Sequence, residues 1–250
     1  MLIMIKKIKF FLFRFNRYFS KRSSESYLKW VRKQGVRVGQ GCQVKDPRHI
    51  LIDTTRPSLL EIGNHVFLHK DMSILTHDWT GWALLPLTGE FIPSHKRTKI
   101  GNNIWFGEGV KVLSGVEIGD NCIIGAYSVV TRSIPANSVA VGTPCRVVCS
   151  IEQFYKKRKE AYCAEIEDYA RSIKECFGRE PKMEDFADDY PIFVNGSNFD
   201  KYNYPYSIVF NDKEFDSWKK NHCSKYQGFE DFAAHMGGRP SENLIREANN

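Results

Sequence analysis

The feature that most constrains the fold is a repeat of six residues between Ile100 and Ala136. Every sixth position of this stretch is apolar, and glycine often follows it. The repeated positions are Ile100, Phe106, Val112, Ile118, Ile124, Val130 and Ala136. A period of six matches neither a helix nor an ordinary alternating strand. It predicts a prism-shaped β-solenoid, in which three short strands make one coil of about 18 residues and the repeated side chain fills the interior.

A weaker form of the repeat begins at Val38 and runs to Ile74, with Arg56 as its exception. We expect a corner or a small excursion of the chain at Arg56. The 26 positions from Ile74 to Ile100 are not a multiple of six. The pattern therefore predicts an inserted loop over residues 75–99, and long ordered loops often carry function.

The positive charge of the chain is concentrated near its beginning. The net charge is +7, and residues 1–37 hold eleven Lys or Arg and one acid, so the rest of the chain carries 7 − 10 = −3. A nucleic-acid-binding protein should carry its basic surface on the folded body, so we expect no nucleic-acid partner. The seven cysteines are odd in number and spread out, which favours reduced thiols in a cytosolic protein.

Residues 1–22 mix Phe, Leu and Ile with Lys and Arg. Their charges interrupt every apolar run, so we expect neither a signal peptide nor a membrane span. They predict a basic amphipathic helix. Two roles stay open for it: peripheral contact with an anionic membrane surface, and packing on the body or on a partner subunit.

The end of the chain has a different pattern. Apolar residues at helical spacing predict a helix over 151–177, which Gly178 and Pro181 end. The polar, aromatic-rich residues 182–250 predict a small mixed appendage. We therefore divide the chain into a basic amphipathic segment 1–37, a solenoid domain 38–150 with the inserted loop 75–99, and a C-terminal helix and appendage 151–250.

The stretch IGNNIWFGEGVKVLSGVEIGDNCIIGAYSVVTRSIPANSVAVGTPCRVV closely resembles the hexapeptide-repeat acyltransferases, in particular the galactoside, xenobiotic and surface-polysaccharide O-acetyltransferase branch. The resemblance covers about residues 38–150. It implies an all-β core that forms a left-handed parallel β-helix. The residue patterns add the amphipathic helix before this core and a helical or mixed appendage after it. The resemblance also implies a homotrimer whose sites each use two chains. The cysteines favour a cytoplasmic location, and the membrane role that stays open for residues 1–22 would place the protein at the inner face of the membrane.

The implied reaction is transfer of an acetyl group from acetyl-CoA to a hydroxyl of a surface polysaccharide or its sugar precursor, with no metal. In the resembled family the catalytic residue is a histidine on a loop before the final repeats, and the matching residue is His77. A neutral imidazole can take the proton of the attacking alcohol. Its second nitrogen must be oriented, and Asp78 and a backbone carbonyl both stay open for this role. His95 is the rival base or an acceptor contact.

The resemblance also assigns binding residues. Arg132 and Arg146 can pair with CoA phosphates through their planar guanidinium groups. Trp79 and Trp82 suit the apolar face of a sugar or the anchoring of the loop. The full set expected along the acetyl-CoA groove is Trp105, Glu108, Ala126, Thr131, Arg132 and Arg146.

Three alternatives stay open. The first is N-acetylation of a nucleotide-linked amino sugar. The second is a metal-dependent hydratase similar to the γ-class carbonic anhydrases, which His49, His65 and His69 raise although their spacing differs from that family. The third is a non-catalytic β-helix scaffold.

Overall fold

The computed structural model describes residues 2–186, 189–202 and 212–237. Parts of the predicted appendage, at 187–188, 203–211 and 238–250, lie outside the described residues. The chain divides into two compact units, residues 1–156 and 157–250.

Two helices begin the first unit, α1 (Leu2–Ser20) and α2 (Ser24–Lys33). The Ser23 hydroxyl caps α2 by accepting a hydrogen bond from the Ser26 backbone N–H at 3.2 Å. One side of α2 is buried in the core and carries Tyr27 and Val31. The structure thus confirms a helix within residues 1–22. Among the residues described, no helix has the length and hydropathy needed to cross a membrane.

The described residues form sixteen short strands. They are, in chain order, β1 Arg37–Val38, β2 Gln43–Val44, β3 Leu51–Ile52, β4 Leu60–Ile62, β5 Val66–Leu68, β6 Ser73–Ile74, β7 His77–Asp78, β8 Ser94–His95, β9 Thr98–Ile100, β10 Ile104–Phe106, β11 Lys111–Val112, β12 Glu117–Ile118, β13 Cys122–Ile124, β14 Val129–Val130, β15 Ser138–Val141 and β16 Arg146–Ser150.

Successive strands enter three sheets in rotation, which makes the three faces of a prism. Sheet 1 has the order β1-β4-β9-β12, sheet 2 has β2-β5-β10-β13-β15-β16, and sheet 3 has β3-β6-β11-β14. Within these three sheets, the described strands pair in parallel except β15 and β16, where the chain folds back at the end of the solenoid. The predicted parallel β-helix is therefore confirmed.

The six-residue repeat gives the core of the prism. Phe106, Val112 and Ile124 are fully buried, and stacked partners such as Lys99 and Glu117 are 18 residues apart. The interruption predicted at Arg56 is a short 3-10 turn, Pro57–Leu59. The last repeat differs from the prediction: Ala136 is exposed, and Ile134 takes the inward place beside Ile118.

The predicted insertion is an ordered hairpin with a helix at its tip. Strands β7 and β8 pair in antiparallel fashion, and helix α3 (Gly81–Thr88) lies between them. Gly89 ends α3 with a φ of 76°, a left-handed conformation that glycine adopts without strain. Because the hairpin leaves the coil, Ser73 and Lys111 stack although they are 38 residues apart.

The regular elements in the described part of the second unit are all helices, joined by turns and irregular segments. Its helices are α4 (Ile151–Phe177), which begins within the first unit, α5 (Asp212–Asn221) and α6 (Phe229–His235). Ile166, Phe186, Phe193 and Phe232 form its separate core. The bounds of α4 confirm the predicted helix over 151–177.

Candidate active site

His77 lies where the chain leaves the solenoid. It follows β6 of sheet 3 and begins β7, directly opposite His95 of β8. The backbone N–H of Lys96 donates to the carbonyl of Thr76 at 2.9 Å, which closes the base of the hairpin. The His77 ring is therefore carried on paired backbone at the edge of the prism.

Asp53 holds the His77 ring by a direct contact. Its Oδ2 lies 2.6 Å from Nδ1 of His77, and the two side chains are 3% and 15% exposed. A carboxylate only accepts, so Nδ1 carries the proton and Nε2 is the basic nitrogen of the neutral ring. Within the described chain, Nε2 has no hydrogen-bond partner. The ring is thus set to accept a proton at Nε2.

The Asp53 carboxylate is itself tightly held. Oδ1 accepts from the backbone N–H and the hydroxyl of Thr55 at 3.0 and 2.7 Å. Oδ2 accepts from the backbone N–H of Thr76 at 3.0 Å and from its hydroxyl. Burial raises the pKa of this carboxyl, but the hydrogen bonds from Thr76, Thr55 and His77 outweigh burial and hold the pKa well below its usual range. Asp53 is therefore a fixed negative charge behind the imidazole.

The expectation that Asp78 or a backbone carbonyl orients His77 is wrong, because Asp53 makes this contact. Successive side chains of an extended strand point to opposite sides, so Asp78 faces away from the side of His77. Its Oδ1 accepts from the backbone N–H and the hydroxyl of Thr80, at 3.0 and 2.6 Å. These bonds lower the pKa of Asp78 and fix the start of α3.

Three residues predicted to contact an acceptor lie on the same insertion as His77. Trp79 and Trp82 are 65% and 73% exposed, and the Trp79 ring lies 5.7 Å from that of Phe91. His95 is exposed on β8, across from His77. The hairpin therefore carries exposed aromatic and imidazole side chains on the same insertion as His77.

Thr131 and Arg132 share the corner of the prism from which the His77 hairpin leaves. Backbone hydrogen bonds cross sheet 3 from coil to coil. The N–H of Asp53 donates to the carbonyl of Ile74, that of Leu75 to Val112, and that of Leu113 to Val130. Thr131 directly follows Val130. Asp53 and Thr131 are therefore three strand spacings apart, about 14 Å. Both Thr131 and Arg132 are exposed along this corner.

The other predicted groove residues lie on sheet 2 or at its ends. Trp105 is 45% exposed in β10, between Phe67 and Ile123. Arg146 is exposed in β16. Within one chain, the predicted residues thus divide between the corner that follows sheet 3 and sheet 2 with the corner that follows it.

Glu108 and Ala126 follow the strands of sheet 2 at the second of these corners. Glu108 pairs with Lys70 Nζ at 3.2 Å and accepts from the Tyr127 hydroxyl at 3.0 Å. Ala126 stacks directly on Gly107, where a Cβ would come within 2.5 Å of its backbone nitrogen. The two coils are therefore in close backbone contact here, and Ala126 itself is exposed.

The histidines that raised the metal alternative have other contacts. Nδ1 of His49 lies 2.7 Å from Asp46, and Nδ1 of His69 accepts from the backbone N–H of Lys70 at 2.9 Å. In the described ranges, no cluster of three or more His, Cys, Asp or Glu could hold a metal ion.

Asp53 was missed because its partner is distant in sequence. The Thr76 and Asp53 backbones lie on adjacent coils, and Asp53 is 24 residues from His77. One feature indicates Asp53 as the partner of His77. It directly follows a buried strand residue, Ile52, one coil before the insertion.

Comparison with known proteins agrees with this geometry. Residues 97–132 match the family model described as bacterial transferase hexapeptide (six repeats). Galactoside O-acetyltransferase of Lactococcus lactis is 31% identical over 147 residues, which cover 49% of this chain and 67% of that protein.

Two further matches are shorter or structural. Galactoside O-acetyltransferase of Escherichia coli K12 is 58% identical over 52 residues, which cover 21% of this chain and only 26% of that protein. The solved structure of a galactoside acetyltransferase in complex with coenzyme A is 25% identical, covers 56% of this chain and 80% of that chain, and has a TM-score of 0.39. From the repeat, its register and the long Lactococcus match, the chain belongs to the hexapeptide-repeat acetyltransferase family.

Proposed function

We propose that this chain transfers an acetyl group from acetyl-CoA to a hydroxyl of a sugar, in a surface polysaccharide or its precursor. The observation that carries the proposal is the Asp53–His77 pair, which leaves Nε2 of a neutral imidazole open on an ordered insertion of a hexapeptide solenoid. The matched relatives are O-acetyltransferases of galactosides. Residues 38–150 would form the acyltransferase domain.

The chemistry follows from the two nitrogens of His77. Nε2 takes the proton of the sugar hydroxyl while its oxygen attacks the thioester carbonyl and forms the new C–O bond. The C–S bond then breaks, and the imidazolium returns the proton to the departing thiolate. Asp53 keeps the proton on Nδ1 and stabilises the charged ring between these steps.

The corner shared by Asp53 and Thr131 supports a path for the donor. A pantetheine arm along this corner would bring the thioester to His77, with Arg132 available to a CoA phosphate. We assign Arg146 a second phosphate contact. Trp105 would exclude water from the thioester, and Trp79, Trp82 and His95 would contact the acceptor.

The division of these residues between sheet 2 and the His77 corner supports a site made by two chains. We propose a left-handed coil, as in the family, and a homotrimer in which the sheet 2 face that carries Trp105 in one chain meets the His77 corner of the next. Glu108 and Ala126 would then line the groove from the partner's side. Cyclic symmetry makes three equal sites in this arrangement.

The test measures acceptor-dependent release of the CoA thiol with a panel of galactosides, maltose and amino sugars. We expect release with sugars that offer only hydroxyls, and a fall of about 10²–10⁴-fold in His77→Ala. His49→Ala is the matched control, because its ring is bound to Asp46 on another part of the solenoid. Full activity in His77→Ala would contradict the role of the base, and activity with amino sugars alone would contradict O-acetylation.

A further inference from the structure

Helix α1 has two different faces. On one, the Phe13 ring lies 5.7 Å from that of Trp30 of α2, and Ser20 is buried. On the other, large apolar side chains are exposed: Phe11 at 66%, Phe15 at 49% and Tyr18 at 75%. Positions 11, 15 and 18 lie on one stripe of a helix. Packing against α2 therefore anchors α1 and leaves this aromatic stripe uncovered.

The aromatic stripe lines a shallow groove of about 590 Å³. The Phe15 ring lies 6.3 Å from Phe11 and 4.3 Å from Phe19, so the rings form a continuous row. Arg14 borders the same groove. Its apolar floor with a cationic edge is typical of helices that lie in a membrane interface.

A larger basic pocket of about 1090 Å³ adjoins the stripe at Tyr18, which lines both. Five cationic side chains line this basic pocket: Lys21, Arg22, Lys45, Arg48 and Lys70. Asp46, which also lines it, pairs with Arg48, and Glu108 pairs with Lys70. The remaining charge is positive, and it includes the exposed Arg22 and Lys45.

Contacts within the fold hold two cations of the basic pocket, Lys21 and Arg22, in place. Lys21 Nζ donates to the carbonyl of Arg48 at 3.0 Å, which ties the end of α1 to the 3-10 turn Pro47–His49. The Arg22 guanidinium lies 4.3 Å above the Phe19 ring. Aromatic stripe and basic pocket therefore belong to one continuous surface.

We propose that the aromatic stripe and the basic pocket together dock on a bilayer that contains anionic phospholipids. The rings enter the headgroup boundary, and the basic pocket holds lipid phosphates. Residues 1–24 contain seven Lys or Arg and no acid, which complements such a surface. Two copies of this face would repel one another, so charge favours lipid over a second chain. The inference does not depend on the proposed acetyl transfer.

The test is co-sedimentation of the full chain with vesicles of phosphatidylcholine alone or mixed equally with phosphatidylglycerol. We expect at least about tenfold stronger binding to the mixed vesicles, weakened by salt. The double variant Arg22→Glu/Lys45→Glu should lose about tenfold or more of this binding. Its matched control, Lys156→Glu/Lys157→Glu, makes the same charge change on exposed positions of α4 and should bind like the wild type.

A second pair of variants tests the aromatic stripe. Phe11→Ser/Tyr18→Ser should bind the mixed vesicles at least about tenfold more weakly, whereas Phe177→Ser, at a residue 70% exposed in the other unit, should not. Equal binding to both vesicle types, or no loss with Arg22→Glu/Lys45→Glu, would overturn the proposal. So would a change of oligomeric state by light scattering in Phe11→Ser/Tyr18→Ser with vesicle binding unchanged, because the stripe would then be a contact between copies.

Discussion

Oδ2 of Asp53 lies 2.6 Å from Nδ1 of His77, and this contact joins two neighbouring coils of the solenoid. Four hydrogen bonds from Thr55 and Thr76 hold that carboxylate on its other lone pairs. Thr76 donates hydrogen bonds to this carboxylate, and the carboxylate in turn contacts the His77 ring. Since Thr76 immediately precedes His77, both residues lie on the same segment of the chain. The position of the imidazole therefore depends on the stacking of the coils more than on the hairpin tip.

The first prediction concerns acid stability. The pKa of Asp53 is lowered by folding, so its ionised form stabilises the native state above the usual carboxylate pKa of about 3.9, and this stabilisation is lost as the pH falls below that value. Asp53→Asn should remove up to about 1.4 kcal/mol per pH unit from the slope of unfolding free energy below pH ~5. Urea unfolding of both proteins from neutral to acidic pH measures the slopes. Equal slopes of unfolding free energy in the two proteins would contradict the prediction, because they would show that Asp53 has the same pKa in the folded and unfolded states.

A second prediction concerns the close stacking of coils at Gly107. A Cβ there would meet the backbone nitrogen of Ala126 at 2.5 Å, and backbone cannot move away as a flexible side chain can. We expect Gly107→Ala to destabilise the fold by about 1–3 kcal/mol. Gly89→Ala is the comparison, because no atom lies within 4 Å of its Cβ and only its φ of 76° opposes the change. Chemical denaturation should show the larger loss at Gly107.

The interior of the solenoid was predictable because each coil repeats the same geometry. An aliphatic residue every six positions can fill the prism only from the inward place, and Phe106, Val112 and Ile124 do so. The same reasoning failed at Ala136. The last coil is two residues shorter, so Ile134 rather than Ala136 lies beside Ile118.

The position of the proposed base, His77, was predictable, whereas the residue that orients its ring was not. His77 followed from the resemblance and from the break in register that places it on an insertion. Asp53 was hidden because the six-residue count aligns Ile50 with Ile74, whereas after the turn Pro47–His49 it is Ile52 that pairs with Ile74. Adjacency in sequence favours Asp78 as the residue that orients His77, but adjacent residues of a strand face opposite sides.

A third prediction follows for Asp78. Its carboxylate bonds to Thr80 at the start of α3, so Asp78→Asn should alter the hairpin and leave the base in place. We expect kcat to change by less than about threefold, with the larger effect on KM for the acceptor. Steady-state kinetics with a saturating donor separate the two constants. A fall in kcat as large as that of His77→Ala would contradict this prediction and indicate a catalytic role for Asp78.

A fourth prediction tests the proposed site between chains. His77→Ala and Trp105→Ala should each be inactive alone, yet unfolding and refolding them together should restore activity, since a mixed trimer would contain one site of three with both native residues. His77→Ala mixed with Arg132→Ala is the control, because these residues share one corner and should give no recovery. Equal recovery in both mixtures, or none in the first, would contradict the arrangement.

The central claim is that Asp53 acts through His77, and a double-mutant cycle on kcat measures this directly. Asp53→Asn should lower kcat by about 10²-fold in the wild type and by no more than about twofold in His77→Ala, because the carboxylate has nothing left to orient. Circular dichroism confirms that each variant is folded. The contradictory result is an equal fall in both backgrounds, which would mean that Asp53 supports the fold and not the base.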